Sequence, residues 1–295
     1  MIHGCKGTRV KGSTFPRSNI LYAGFLAKDK RIYVTMPFMS QNIAVTFDLP
    51  LCQNKAELLT RQLDLPLVDP NDQCYQFLLA VKPEHLELRK TATKTKPIYV
   101  DFLSGKLSYR AKHGGGRQQM LARAVNVKGK QLPTVLDATS GFGTDAFVLA
   151  SLGCKVLMLE RSPIMGALLQ NGLDRLNEST KSKTVKLDLI ITEARDYLQQ
   201  IIEAKHLAFD VIYLDPMYPE RSNNALGKNT LRVLRELVGD DLDADVLLPL
   251  ALQAAKKRVV VKRPKRAPFL CKQKPDIIYT SGNSSRFDVY IVNHG

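Results

Sequence analysis

Apolar and polar positions along this chain follow two periods. From Leu132 onward, short apolar runs alternate with stretches of helical spacing. The runs Thr134–Ala138, Lys155–Glu160, Leu187–Thr192, Asp210–Asp215, Arg258–Lys262, Asp276–Thr280 and Phe287–Val292 each predict a strand. The stretches Thr144–Leu152, Pro163–Leu176, Ala194–Ala204, Leu226–Leu237 and Ala244–Lys256 predict helices. Apolar strands separated by crossover helices predict an α/β, Rossmann-like unit: a mostly parallel seven-stranded sheet with helices on both faces. The last two strands are joined by only Ser281–Ser284, so they should add antiparallel at the edge.

Ahead of this unit, which spans residues 131–295, a smaller α+β region is predicted over 43–130. Strands are expected at Ile43–Phe47, Gln76–Val81 and Leu86–Lys90, and a helix at Asn54–Leu63 with Asn54 as its cap. Ile98–Phe102 and Leu107–Arg110 flank Ser104-Gly105 and predict a hairpin. Gly114-Gly115-Gly116 precedes a helical pattern at Gln118–Val125. Such a glycine run can leave backbone N–H groups for an anion, with Arg117 beside them, or it can serve as a flexible turn. Residues 1–42 form a basic extension, with Lys6, Arg9, Lys11, Arg17, Lys28, Lys30 and Arg31 facing only Asp29. It reads as an RNA-touching or disordered tail, or as sequence ahead of a start at Met36 or Met39.

Composition narrows the function classes. With 44% hydrophobic and 24% charged residues, the chain is neither disordered nor a coiled coil, and no apolar run is long enough to span a membrane. The formal net charge of +15 favours a polyanionic partner, nucleic acid before an acidic membrane surface. The five cysteines have no Cys-x-x-Cys spacing, which argues against a disulfide framework or a zinc knuckle and for a reduced, cytoplasmic compartment. No His, Cys or carboxylate cluster suggests a metal.

The first chemical motif is Asp137-Ala138-Thr139-Ser140-Gly141-Phe142-Gly143-Thr144-Asp145, a strand-to-helix turn. Gly141 and Gly143 let the backbone turn sharply and approach a ligand at the carboxyl end of the sheet. The next strand ends in Glu160, an acceptor suited to both hydroxyls of a ribose. A dinucleotide fingerprint would place its third glycine where Ala146 stands, which that fingerprint tolerates. Charge decides more: Asp137 and Asp145 are unwelcome beside a pyrophosphate but suit the ammonium and sulfonium of S-adenosylmethionine. Asp137 can alternatively be a loop cap.

The second motif, Asp215-Pro216-Met217-Tyr218-Pro219, ends the fourth predicted strand. The prolines restrict the backbone, the Asp215 carboxylate and Pro216 carbonyl offer two acceptors to one NH2 group, and the Tyr218 ring offers a stacking face. The pattern resembles the (Asp/Asn/Ser)-Pro-Pro-(Tyr/Phe) motif of amino-group methyltransferases, with Met217 replacing the second proline. A rigid turn is the plainer alternative. Accepting the N–H bonds of a nucleobase amine frees its lone pair to attack a methyl carbon, with positioning and electrostatics supplying the acceleration.

Several runs then match one family in order: Lys82–Lys90, Gly114–Arg117, Asp137–Thr139, Asp145–Ser151, Met158–Arg161, Leu214–Pro219 and Val259–Pro264. From about residue 43 onward the chain resembles the ribosomal RNA small subunit methyltransferase J family, class I methyltransferases acting on N2 of a guanosine in 16S rRNA. The resemblance implies S-adenosylmethionine contacts at Thr144 and Asp145, at Glu160 and Arg161, and at Asp215. It implies a further pair at Glu193 and Ala194, where the family often carries small hydroxyl residues. Lys262, Arg263, Lys265 and Arg266 follow the fifth strand and read either as phosphate contacts beside the target base or as a solvated charge run. His85 and His113 read as structural. The competing functions are an adenine-N6 or DNA amino-methyltransferase, a non-catalytic RNA-binding assembly factor, and an NAD-dependent oxidoreductase.

Overall fold

The computed structural model describes residues 42–93, 95–105, 107, 115–179, 185–205, 207–216, 244–281 and 284–293. The expected tail, Met217–Pro219, His113, Gly114 and the expected helix Leu226–Leu237 lie outside them.

Three strands, β1 (Ile43–Phe47), β2 (Phe77–Val81) and β3 (Leu86–Lys90), form a small sheet in that order. β1 pairs parallel with β2, and β2 antiparallel with β3. Helix α1 (Gln53–Leu63) packs beside β1. Its N-cap is Cys52, with no side-chain cap bond, so Asn54 is not the cap the sequence predicts: Pro50 starts a 3-10 turn that runs straight into the helix and carries Asn54 inside it.

Of the expected hairpin, residues 108–110 lie outside the described ones, and its first arm, Ile98–Phe102, does not form a strand. Ile98 exchanges a pair of backbone bonds with Leu88 and stops there, while Gly105 and Leu107 are helical. The Val100 carbonyl is taken by the guanidinium of Arg175, and Val100 and Phe102 pack against Gly172. Tertiary contact with a later helix therefore outcompetes local turn chemistry.

Helix α2 (Met120–Val125) follows a 3-10 turn at Gly116–Gln118 and leads into a seven-stranded sheet. The strands are β4 (Thr134–Asp137), β5 (Lys155–Glu160), β6 (Lys186–Ile191), β7 (Val211–Leu214), β8 (Arg258–Pro264), β9 (Ile277–Ser281) and β10 (Ser285–Ile291). Their order is β6-β5-β4-β7-β8-β10-β9. β4 to β8 run parallel, and β10 is antiparallel to both β8 and β9, as the short connection predicts. Helices α3 (Thr144–Ser151), α4 (Pro163–Glu178), α5 (Ala194–Glu203) and α6 (Ala244–Ala254) connect the strands.

Two apolar cores flank this sheet. One joins α5 and α6 to Leu136, Ile212, Val259 and Val261. The other joins α2, α3 and α4 to Val135, Tyr213, Val260 and Phe287, and continues without a break into Ile43, Leu79 and Phe102 of the N-terminal region. Alternate residues of β8 thus serve opposite faces, as strand period requires. Among the described residues no helix is long and apolar enough to cross a membrane.

Candidate active site

The site grows from the switch in strand order between β4 and its two neighbours. β5 and β6 lie on one side of β4, β7 and β8 on the other, so a crevice opens at the carboxyl ends. β4 delivers Asp137 there, level with Met158 of β5 and Tyr213 of β7.

The glycine turn is built as its sequence requires. Gly141 and Gly143 have φ of 53° and 67°, a region that L side chains rarely adopt. A Cβ on Gly143 would sit about 3.0 Å from Met158 and Phe102, whereas Gly141 has nothing within 4 Å. Gly143 thus seats the turn on the core, and Gly141 leaves bare backbone for a ligand. Ser140 ties the turn to β5 by donating its hydroxyl to the Leu159 carbonyl at 2.8 Å. Glu160 ends β5, buried, with its carboxylate accepting the Ser162 N–H at 2.8 Å.

Three carboxylates converge beside this turn. Asp137 is 2% exposed and accepts the Thr139 N–H, so the loop-cap geometry is realised. Burial and the neighbouring Asp145 and Asp215 push its carboxyl up to about 8, against the Thr139 N–H and Lys262. Asp145, in the first turn of α3, accepts a 2.8 Å bond from the Tyr213 hydroxyl. Asp215 stands just past β7, and its backbone N–H donates to the Thr139 hydroxyl of the glycine turn.

Lys262 closes the cluster. Its Nζ lies 2.8 Å from Asp145 and 2.8 Å from Asp215. Burial opposes its charge, yet the two carboxylates outweigh burial and hold its pKa above the usual lysine value. Burial first, then the carboxylates around it, keep Tyr213 a neutral phenol well into alkaline pH. Three acids, one ammonium and one phenol make a site that favours a cationic ligand. With a bare glycine backbone and a buried acceptor at the end of β5, these residues fit S-adenosylmethionine.

The other expected site residues divide. Thr144 and Arg161 are half-buried beside Asp145 and Glu160 respectively, and Pro216 is buried next to Asp215. Glu193 is the N-cap of α5, its side chain making no cap bond, and Ala194 is buried as the first helical residue. Tyr218 lies outside the described residues.

Two expected phosphate contacts need correction. Lys262 points into the carboxylate cluster and not outward to RNA, because it shares the β8 face of Val260. Arg263 is 5% exposed and donates to the Pro268 carbonyl, so it braces its own loop. Lys265 and Arg266, past the strand end, are exposed. Arg117 is exposed and donates to the Gly129 carbonyl. His85, just ahead of β3, bonds Glu87 at 2.8 Å.

Comparison with known proteins agrees with this geometry. A SAM-dependent methyltransferase family matches residues 59–292. The ribosomal RNA small subunit methyltransferase J of Coxiella burnetii strain RSA 331 is 50% identical over 255 residues, covering 86% of this chain and 98% of that one. The chain belongs to the ribosomal RNA small subunit methyltransferase J family. A member from Aeromonas salmonicida strain A449 is 50% identical over 221 residues, covering 74% of this chain and 87% of that one. A crystal structure of a SAM-dependent methyltransferase from Neisseria gonorrhoeae superposes with a TM-score of 0.64 at 34% identity, covering 85% of this chain and 97% of that one. As a family member, this protein is an α/β, S-adenosylmethionine-dependent methyltransferase. The NAD-dependent alternative is set aside.

Proposed function

We propose that this protein, a cytoplasmic enzyme, methylates N2 of one guanosine in 16S rRNA. The observation that carries the reading is the placement of Asp215, at the tip of β7, backbone-tied to the glycine turn and side-chain-tied to Lys262. An acceptor held that close to the cofactor loop suits an amine that must meet a methyl donor, and the family name supplies the substrate class.

When bound, S-adenosylmethionine supplies a methyl group on a positively charged sulfur. Glu160 would receive its ribose hydroxyls, and Asp145 would favour its cationic end, with Asp137 joining it as an anion only once the arriving cation displaces its proton. Gly141, Gly143 and Thr144 bring backbone to it. Arg161, Glu193 and Ala194 flank its base. On the acceptor side, the Asp215 carboxylate takes one hydrogen of the guanine NH2 and the Pro216 carbonyl the other. The nitrogen lone pair is then free of the ring and aimed at the methyl carbon. Asp215, ion-paired with Lys262, passes the displaced proton on to water. The base must leave its stack to reach Asp215, which favours an unpaired or helix-end nucleotide. Lys265, Arg266 and Arg117 supply phosphate contacts outside the crevice.

The test is methylation of 16S rRNA from cells lacking this protein, followed by mass mapping of the product. One N2-methylguanosine should appear with the wild-type enzyme. Asp215→Asn should slow transfer about 100-fold or more. Wild-type turnover by Asp215→Asn, or full methylation of rRNA from the deletion strain, rejects the reading.

A further inference from the structure

A second concavity, of about 410 Å³, lies away from the crevice, between the C-terminal end of α2 and the edge strand β9. Arg117, Arg123 and Lys128 line it together with Gln118, Asn126 and Tyr279. Among the described residues no carboxylate lines it and none of the three cations is in an ion pair. All three are exposed. The Arg123 guanidinium lies over the Tyr279 ring, 5.1 Å from its centroid, so a flat cation already sits on an aromatic platform. The C-terminal end of α2 by itself disfavours an anion, but its Ala122, Arg123 and Ala124 carbonyls already accept from Val127, Asn126 and Arg258, and three cations stand in front of it.

Sheet register relates this concavity to the crevice. Lys262 pairs with Phe287, and Phe287 pairs with Tyr279. The three side chains therefore share a row and a face, with Tyr279 two strands from Lys262, about 10 Å at ordinary strand spacing. Because β9 is the sheet edge, nothing further in the sheet limits the length of what lies across it.

We propose that Arg117, Arg123, Lys128 and Tyr279 form a second binding site for single-stranded RNA flanking the target nucleotide. The three cations take backbone phosphates, and one base stacks on the Arg123 guanidinium over Tyr279. Gln118 and Asn126 add hydrogen bonds that accept any base. The proposal rests on the rRNA reading above and adds a second point of attachment, which fixes the direction in which the strand enters.

The test measures binding of 16S rRNA and of a single-stranded RNA oligomer across a salt series, without methyl transfer. The triple variant Arg117→Ala, Arg123→Ala, Lys128→Ala should weaken RNA binding at least tenfold near 0.1 M salt. The slope of log K against log salt should become shallower by about 2, at about 0.7 per charge on a single strand. Tyr279→Leu should weaken binding about tenfold with the slope unchanged. S-adenosylmethionine affinity and melting temperature should match wild type in both. Unchanged RNA affinity and slope in the triple variant overturn the site. So does a loss confined to phosphatidylglycerol vesicles, which would make the patch a membrane contact. If the variants lose RNA affinity while the wild-type enzyme methylates no rRNA, the site stands and the methylation reading falls. If the wild type methylates and the variants bind normally, the reverse holds.

Discussion

Asp137, Asp145, Asp215 and Lys262 form one charged cluster at the carboxyl end of the sheet. Asp137 holds a proton in the folded chain up to about pH 8, whereas the unfolded chain releases it near the ordinary value of 3.8. The native state then binds the extra proton across that window, so stability falls as pH rises through it, by at most about 1.4 kcal/mol per pH unit. Asp137→Asn should flatten this slope and gain stability above pH 8, as read by urea denaturation from pH 5 to 9 without cofactor. Lys262→Met leaves Asp145 and Asp215 facing each other without a counter-ion. Transfer should fall at least tenfold and the acidic limb of the rate profile should move to higher pH, because both carboxyls then protonate more readily. Lys262→Arg should restore part of both. A wild-type profile in Lys262→Met would show that Asp215 needs no cationic partner.

At the scale of elements, close approach and internal pairing hold the site in place. A Cβ on Gly166 of α4 would come within 2.5 Å of Ile191 at the end of β6. Gly166→Ala should cost about 1–3 kcal/mol in denaturant unfolding, and Ile191→Val in the same chain should recover part of it. Arg286 of β10 pairs with the fully buried Asp288 at 2.8 Å, donates to the Lys265 and Ala267 carbonyls, and covers Phe269. It is the anchor of the loop that presents Lys265 and Arg266. Arg286→Ala strands a buried charge and should destabilise by about 3–5 kcal/mol. The strands β4 to β8 and their helices were legible because apolar runs and helical spacing alternate cleanly. The inward turn of Lys262 was not. In the sequence, Lys262, Arg263, Lys265 and Arg266 form one basic run, and only the continuation of β8 to Pro264 separates them. Strand alternation then sends Lys262 to the carboxylates and Arg263 to the opposite face. The Arg123–Tyr279 contact was equally hidden, because more than 150 residues separate partners that only the sheet edge brings together.

At the scale of the molecule, the apolar core runs through position 130, where the pattern of elements changes. Phe102 touches Phe147 with ring centroids 5.3 Å apart, and Val100 and Phe102 press on α4 at Gly172. The N-terminal region and the methyltransferase sheet should therefore unfold in one transition, seen as coincident far-UV and near-UV melting curves. A chain cut to residues 131–295 should expose this seam and aggregate or melt well below the full protein. Two resolved transitions in the intact chain would show that the regions are independent.

The ammonium shared by Asp145 and Asp215 has a thermodynamic corollary. Whatever engages the carboxylate on α3 alters the hold on the carboxylate after β7, so donor and nucleotide should each change the other's affinity by the same factor. Titrating the demethylated donor with and without the nucleic acid would measure that factor, and Lys262→Met should bring it towards one.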